Sequence, residues 1–333
     1  MLEPLISVII PTYNYNNYIT QAIDSILSQT YPKEKIEIIV VDDGSTDNTS
    51  LVLKNFIDKK IIQYYFQENK GKANATYNAI QKCNGKYIFN LDADDYFLPD
   101  KISEYVKVFE KDDTIVHVGT AAKVLYQYSN VYVTEKLPKD ILGKPLYGNW
   151  LLQRFYSSNM LFGGGTTYAA RTSVLKTIQI PDAVDMYIDE FLILAILPYG
   201  KSFFLEEPLS VWRVHKDNFS VSAAVKEKQI KKDKRLLQSS SAILNYLIEH
   251  NFDKKLITIY SLQDATRQIA FKESVNNKKL SDIWEYAYNV FFKIKPGLRL
   301  LNKYNVINRL IPLNILKLVK KPYQQVVYNK SKL

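Results

Sequence analysis

The sequence predicts an α/β fold, with a mostly parallel central sheet in its first part and a helical extension behind it. Three observations predict this. Short apolar runs alternate with segments of helical periodicity over residues 5–120, the order that βαβ units produce. Each run ends on proline or acidic residues or in a turn, as strands feeding loops do. Beyond residue 222 the apolar spacing is helical throughout.

The elements follow in order. Leu5-Ile6-Ser7-Val8-Ile9-Ile10 is a strand ending at Pro11. Ile19, Ala22, Ile23, Ile26 and Leu27 recur at spacings of three and four, which puts them on one helical face. Ile36 to Val41 is a second buried strand, and Ser45 to Asp47 supply caps for a helix carrying Leu51, Leu53 and Phe56. Ile61 to Phe66 is a third strand, Gly71 to Cys83 a helix, and Lys86 to Leu91 a fourth strand that runs into Asp92-Ala93-Asp94-Asp95. A helix follows Pro99, and Thr114 to Val118 is a further strand. Between 120 and 220 the pattern is mixed, with a tight loop at Gly163-Gly164-Gly165 and a helix over 188–197. Helices are then expected over 222–249, 254–271, 281–292 and 298–320. This divides the chain into an α/β domain, 1–222, and a helical, basic region, 223–333.

The chain of 333 residues is 47% apolar and 23% charged, an ordinary globular composition. Its one cysteine, Cys83, rules out a disulfide framework within the chain and fits a reducing compartment. No apolar run reaches transmembrane length, and Met1 to Ile10 lacks the features of a signal peptide, so a protein of the cytoplasm or of the inner face of a membrane is expected. The net charge of +10 is concentrated at the end: Phe291 to Leu333 holds ten Lys or Arg and no Asp or Glu. There, residues 296–321 interleave Leu and Ile with basic side chains, which suits either an anionic membrane surface or a helix packed on its own domain. With the rest of the chain close to neutral, nucleic acid is not an expected partner.

In an open α/β sheet the carboxyl ends of the strands share one edge, where ligands bind. Pro11 to Asn14 follow the first strand, Asp42-Asp43 the second, and Asp92, Asp94 and Asp95 the fourth. A D-x-D pair behind a buried strand can offer oxygens to one hard cation such as Mg²⁺ or Mn²⁺, which takes further ligands from substrate phosphates. Alone, the same residues also suit a capped turn before Pro99.

Taken together, the segments resemble the family 2 glycosyltransferases of the GT-A fold. The matching blocks are Ser7-Val8-Ile9-Ile10-Pro11-Thr12-Tyr13-Asn14, Ala22 to Thr30, Val40-Val41-Asp42-Asp43-Gly44-Ser45-Thr46-Asp47, Asn69 with Gly71, and Asn84 to Asp95. The resemblance is densest over residues 5–100 and continues to about residue 220. It implies an enzyme that moves a sugar from a nucleotide-sugar, a UDP-sugar first, to a hydroxyl of a glycan or lipid-linked acceptor in bacterial cell-surface polysaccharide synthesis.

It also implies roles. Pro11, Thr12, Tyr13, Asn14 and Asp43 belong to the nucleotide site, as does Ala93, with Asp92 near the ribose or the metal's waters. Asp94 ligates Mn²⁺ or Mg²⁺ at the diphosphate. Asp189-Glu190 matches the acidic pair that supplies the base, with Asp189 favoured; many relatives read Glu-Asp, so Glu190 competes. Arg213 and His215 match an R-x-H segment near the diphosphate, where His215 completes the metal shell or bonds phosphate. Tyr77 stands where relatives often carry an arginine, and Lys70 or Lys72 can substitute for it. Gly163 to Gly165 and Trp150 suit the acceptor side. The processive Q-x-x-R-W motif is absent, so one sugar per encounter is expected. The alternative reading is a noncatalytic nucleotide- or acceptor-binding scaffold subunit. The Gly-rich loops of nucleotidyltransferases and dinucleotide enzymes do not follow the first strand.

Overall fold

The computed structural model describes residues 3–148, 150–152, 154, 165–216, 218 and 226–292. The expected boundary at 222, Gly163-Gly164, the helix over 298–320 and the basic segment 296–321 lie outside them. The chain divides into two compact units. One holds Met1–Leu125, Tyr132–Leu152 and Phe162–Val214; the other holds Tyr126–Val131, Gln153–Leu161 and His215–Leu333.

The first unit is built on an eight-stranded sheet. Its strands are β1 (Ile6–Thr12), β2 (Ile36–Asp42), β3 (Gln63–Phe66), β4 (Tyr87–Asn90), β6 (Ile115–Gly119), β9 (Pro145–Tyr147), β10 (Tyr168–Arg171) and β11 (Lys201–Phe204), in the order β3-β2-β1-β4-β10-β6-β11-β9. β1 pairs in parallel with both β2 and β4, and β2 with β3, while β10 runs antiparallel to β4 and β6. All seven residues of β1 are buried, as a strand covered on both faces requires. Val8 and Ile10 join one cluster with Ile19, Ile23 and Ile26 of helix α1 (Ile19–Leu27), Leu53 and Phe56 of α2 (Thr49–Asp58), and Ile102 and Phe109 of α4 (Lys101–Lys111). Helix α3 (Lys72–Lys82) packs on β1 and β2 through Ala73, Ala75, Thr76, Ala79 and Ile80; such small side chains allow a close approach.

Two features differ from the sequence reading. Pro11 lies inside β1 and does not end it. Pairing with β4 stops at Ile9↔Asn90, so beyond that point β1 has a neighbour on one side alone and a missing N–H is tolerated. The second is β10, whose four residues, Tyr-Ala-Ala-Arg, enter the sheet between β4 and β6. A smaller sheet has the order β5-β12-β7-β8, with β5 (Tyr96–Phe97), β7 (Lys123–Tyr126), β8 (Val131–Thr134) and β12 (Ser210–Val214).

At the amino end of the large sheet, the Glu37 carboxylate accepts hydrogen bonds from Ser7 Oγ (2.5 Å) and the backbone N–H groups of Asn84 (2.5 Å) and Gly85 (3.0 Å). Although partial burial opposes it, these donors hold the Glu37 acid below the usual carboxylate range. A Cβ on Gly85 would collide with the backbone of Ile6 and Ser7.

In the second unit, α7 (Lys226–Glu249) packs on α8 (Lys254–Ser274), which also packs on α9 (Leu280–Phe292). Asp253 caps α8 by accepting from the N–H groups of Lys255 and Leu256. Ser241 donates to Asp264 at 3.0 Å, and Lys272 pairs with Asp282 at 2.7 Å. No helix of the described residues is long and apolar enough to cross a membrane.

Candidate active site

The strand order reverses between β1 and β4, and the crevice beyond the carboxyl ends of these strands is where open α/β sheets bind ligands. Thr12 ends β1 with its Oγ1 buried and without a hydrogen-bond partner among the described residues. Tyr13 is 44% exposed. Asn14 takes a left-handed backbone (φ 59°), and its Oδ1 accepts from the N–H of Thr46 at 2.8 Å; its own N–H donates to Ser45 Oγ at 2.9 Å. It therefore clamps the loop after β2. Asp42 faces the same loop, accepting from Ser45 N–H and Tyr64 Oη at 2.8 Å each.

Asp43, 3% exposed, anchors a different loop. Its carboxylate accepts from Gln67 Nε2 and from the N–H groups of Lys70 and Gly71, each at 2.8 Å. These bonds fix the segment that leads into α3 and so place Lys72 in that helix's first turn.

Behind β4, Asp92, Asp94 and Asp95 bring carboxylate oxygens within 4.8 Å of one another. Ala93 between them is buried. Asp95 is held hard: Thr166 Oγ1 donates to one oxygen and the Arg213 N–H to the other at 2.9 Å. Thr166 is itself fixed, since its carbonyl accepts from Ser210 Oγ, which in turn accepts from the fully buried Lys101. Burial and the charges of Asp94 and Asp92 push the Asp95 acid well above the ordinary range. Burial likewise raises Asp92 to about 6, with Asp189 and Asp94 adding to the rise and Lys72 opposing it. Tyr15 faces the same charges: burial, then Asp94 and Asp92, keep its hydroxyl protonated. This is a donor set short of positive charge, and it fits a hard divalent cation.

Asp189 lies in the first turn of α6 (Ile188–Ile196), the helix that follows the short α5 (Thr172–Leu175). Lys72 Nζ joins the two halves of the site, standing 2.9 Å from Asp92 and 3.1 Å from Asp189 Oδ2. Burial would lower its pKa, but Asp189 and Asp92 together hold it well above the usual lysine value. Asp189 Oδ1 is buried without a hydrogen-bond partner among the described residues. Gly165 closes against it: a Cβ there would lie 2.6 Å from that oxygen and 2.7 Å from Asn90 Nδ2. Glu190 is 9% exposed and belongs to the buried side of α6.

The Arg213 guanidinium is stacked over Tyr18 at 4.8 Å, with Tyr96 at 5.5 Å, and donates to Gln21 Oε1 at 2.6 Å. The part of Arg213 that meets a site carboxylate is its backbone N–H. His215 is buried, with its N–H donated to Asn218 Oδ1, and belongs to the second compact unit. Trp150 is 46% exposed.

The sequence reading gave Lys72 only a substitute's role and overlooked Thr166, Gln67 and Tyr15. One weak signal pointed to Lys72: a lysine in the first turn of a helix is mildly disfavoured by the helix dipole, which a nearby carboxylate would offset. Nothing local in the sequence singles out Thr166.

A family model described as Glycosyl transferase family 2 matches residues 7–178. A Nostoc protein described as an uncharacterized glycosyltransferase is 29% identical over 270 residues, covering 78% of this chain and 80% of its own. An uncharacterized glycosyltransferase of Rickettsia typhi is 43% identical over 120 residues, and the match spans 36% of that protein's length. Chondroitin synthase of Escherichia coli is 34% identical over 149 residues, 42% of this chain and 21% of the synthase. Among solved structures, mannosyltransferase PcManGT from Pyrobaculum calidifontis, in complex with GDP-Man and Mn²⁺, aligns with a TM-score of 0.56 at 19% identity over 98% of this chain and 83% of that one. S. aureus TarS 1-349, in complex with UDP-GlcNAc, aligns with a TM-score of 0.55 at 18% identity over 90% and 91%. At such identities the likeness is one of fold, and the fold is GT-A.

Proposed function

The chain belongs to glycosyl transferase family 2, and on that premise we propose that it transfers a sugar from a nucleotide-sugar to an acceptor hydroxyl with inversion at the anomeric carbon. The observation that carries this reading is the cluster Asp92, Asp94 and Asp95, joined through Lys72 to Asp189. A UDP-sugar is the proposed donor, in keeping with the UDP-GlcNAc complex of TarS; the GDP-Man complex of the mannosyltransferase makes a GDP-sugar the first competitor. The proposed acceptor is a glycan or glycolipid of a bacterial cell surface.

Asp94 and Asp92 are the proposed holders of Mn²⁺ or Mg²⁺. Such a cation supplies positive charge against the charge that builds on the departing diphosphate. Asp95, already committed to Thr166 and the Arg213 N–H, keeps the loop in place. Tyr13 offers its exposed side chain to the base, and Asp43 fixes the Gln67–Gly71 loop of the nucleotide site. Asp189 takes the acceptor's hydroxyl proton. The freed oxygen then bonds to the anomeric carbon while the bond to the diphosphate breaks, and the nucleoside diphosphate leaves with the electron pair. The Asp189 side chain is 24% exposed while Glu190 is buried, which favours Asp189 as the base.

The test is a panel of UDP-, GDP- and dTDP-sugars with Mn²⁺ or Mg²⁺ and lipid extracts as acceptors, run beside Asp94→Ala and Asp189→Ala. Metal-dependent release of one diphosphate, lost in both variants, is the expected result. Nucleotide binding without turnover on any donor would move the protein to the scaffold reading.

A further inference from the structure

Lys72 joins two carboxylates that have different proposed duties. Asp92 lies in the cation cluster and Asp189 is the proposed base; they are far apart in sequence, yet one ammonium bonds both at 2.9 and 3.1 Å. That ammonium enters the site from the first turn of α3, where it gains nothing from the helix dipole. Its place is therefore set by the two acids. Asp189 is held twice, by Lys72 on Oδ2 and by the close approach of Gly165 to Oδ1.

The Lys72 side chain is 35% exposed. Its amine can leave Asp92 without unpacking the core. Lys101 is the contrast: fully buried, bonded to Ser210 and Tyr105 and lying against the Phe97 and Tyr105 rings, it is locked in place.

We propose that Lys72 is a positioning residue: a resident cation that shields Asp92 before the donor arrives, yields it to the divalent ion, and keeps Asp189 aimed at the acceptor by one oxygen. The inference rests on the glycosyl-transfer reading of the site. It carries a consequence that a merely structural lysine lacks. Because Lys72 and a divalent cation compete for Asp92, removing the ammonium strengthens binding of the metal alone. Because the same ammonium steadies Asp189, removing it slows turnover.

The experiment titrates Mn²⁺ alone, by calorimetry, into the full-length wild type, Lys72→Met and Lys72→Arg, and measures kcat and donor KM for each. Lys72→Met is expected to bind Mn²⁺ about tenfold more tightly, as loss of a neighbouring positive charge dictates. Its kcat is expected to fall about a hundredfold, the scale for a displaced catalytic group, with a smaller change in KM. Lys72→Arg, which keeps the charge, is expected to restore most of both. Equal or weaker Mn²⁺ binding by Lys72→Met, or an unchanged kcat, overturns the proposal. Should Lys72→Met not fold, Lys72→Gln makes the same comparison. The titration needs no turnover, so a wild type that transfers no sugar defeats the functional reading while Mn²⁺ binding still decides the role of Lys72.

Discussion

The two ends of the large sheet treat their carboxylates in opposite ways. At the amino end, the one carboxylate of Glu37 gathers donors from Ser7, Asn84 and Gly85, and its acid is held low. At the carboxyl end, Asp92, Asp94 and Asp95 crowd together, and burial with mutual repulsion raises Asp92 and Asp95. The first arrangement is complete in itself and holds structure. The second is costly by itself, and a divalent cation with a diphosphate would complete it. The motif blocks Asn84-Gly85 and Asp92 to Asp95 lie only a few residues apart in sequence, yet β4 carries them to these two ends.

The comparison can be broken by substitutions at each end. The largest expected effect is at the carboxyl end: Asp189→Asn, similar in shape but no longer basic, should lower kcat by roughly a thousandfold while its unfolding midpoint stays near that of the wild type. Steady-state kinetics beside thermal unfolding checks this, and a large loss of stability would assign Asp189 a structural role. At the amino end the pattern should reverse. Glu37→Ala takes the acceptor from Ser7 Oγ and Asn84 N–H, while Gly85 N–H keeps Ser7 Oγ, and should destabilise the fold by about 2 kcal/mol in urea unfolding, with nucleotide affinity unchanged.

An effect of similar size, seen only on acidification, lies between the ends, at His117 of β6. It is 1% exposed and bonded to Ser202 at 2.9 Å, and burial depresses its pKa from 6.5 to about 3. The unfolded chain therefore binds the proton that the native chain refuses. The stability is present above pH 6.5 and is lost as pH falls toward 3, by about 2 kcal/mol at pH 5. Unfolding of His117→Gln at pH 7 and pH 5 should show a shallower loss than the wild type.

Much of this was legible beforehand, for physical reasons. β1, β2 and β4 are continuous apolar runs because they are central and buried, and the helices between them show a clear period. The acids at their ends follow from that order, and the resemblance supplied their proposed roles. What stayed hidden was decided in three dimensions. β10 has four residues, too few to show an alternation, and takes its place by pairing with β4 and β6. Thr166 and Lys72 gain their meaning from carboxylates that lie far from them in the chain. Asn14 reads as a nucleotide contact within its block; in the fold its side chain holds the Ser45–Asp47 loop.

The most direct test of the central claim, that the carboxyl-end cluster is a metal-dependent nucleotide site, is calorimetry of UDP and GDP with and without Mn²⁺ on the wild type and Asp94→Ala. The account predicts that Mn²⁺ strengthens binding of one of the two nucleotides to the wild type by tenfold or more and leaves Asp94→Ala unaffected. Binding that is indifferent to Mn²⁺ in the wild type, or equally enhanced in Asp94→Ala, would contradict it.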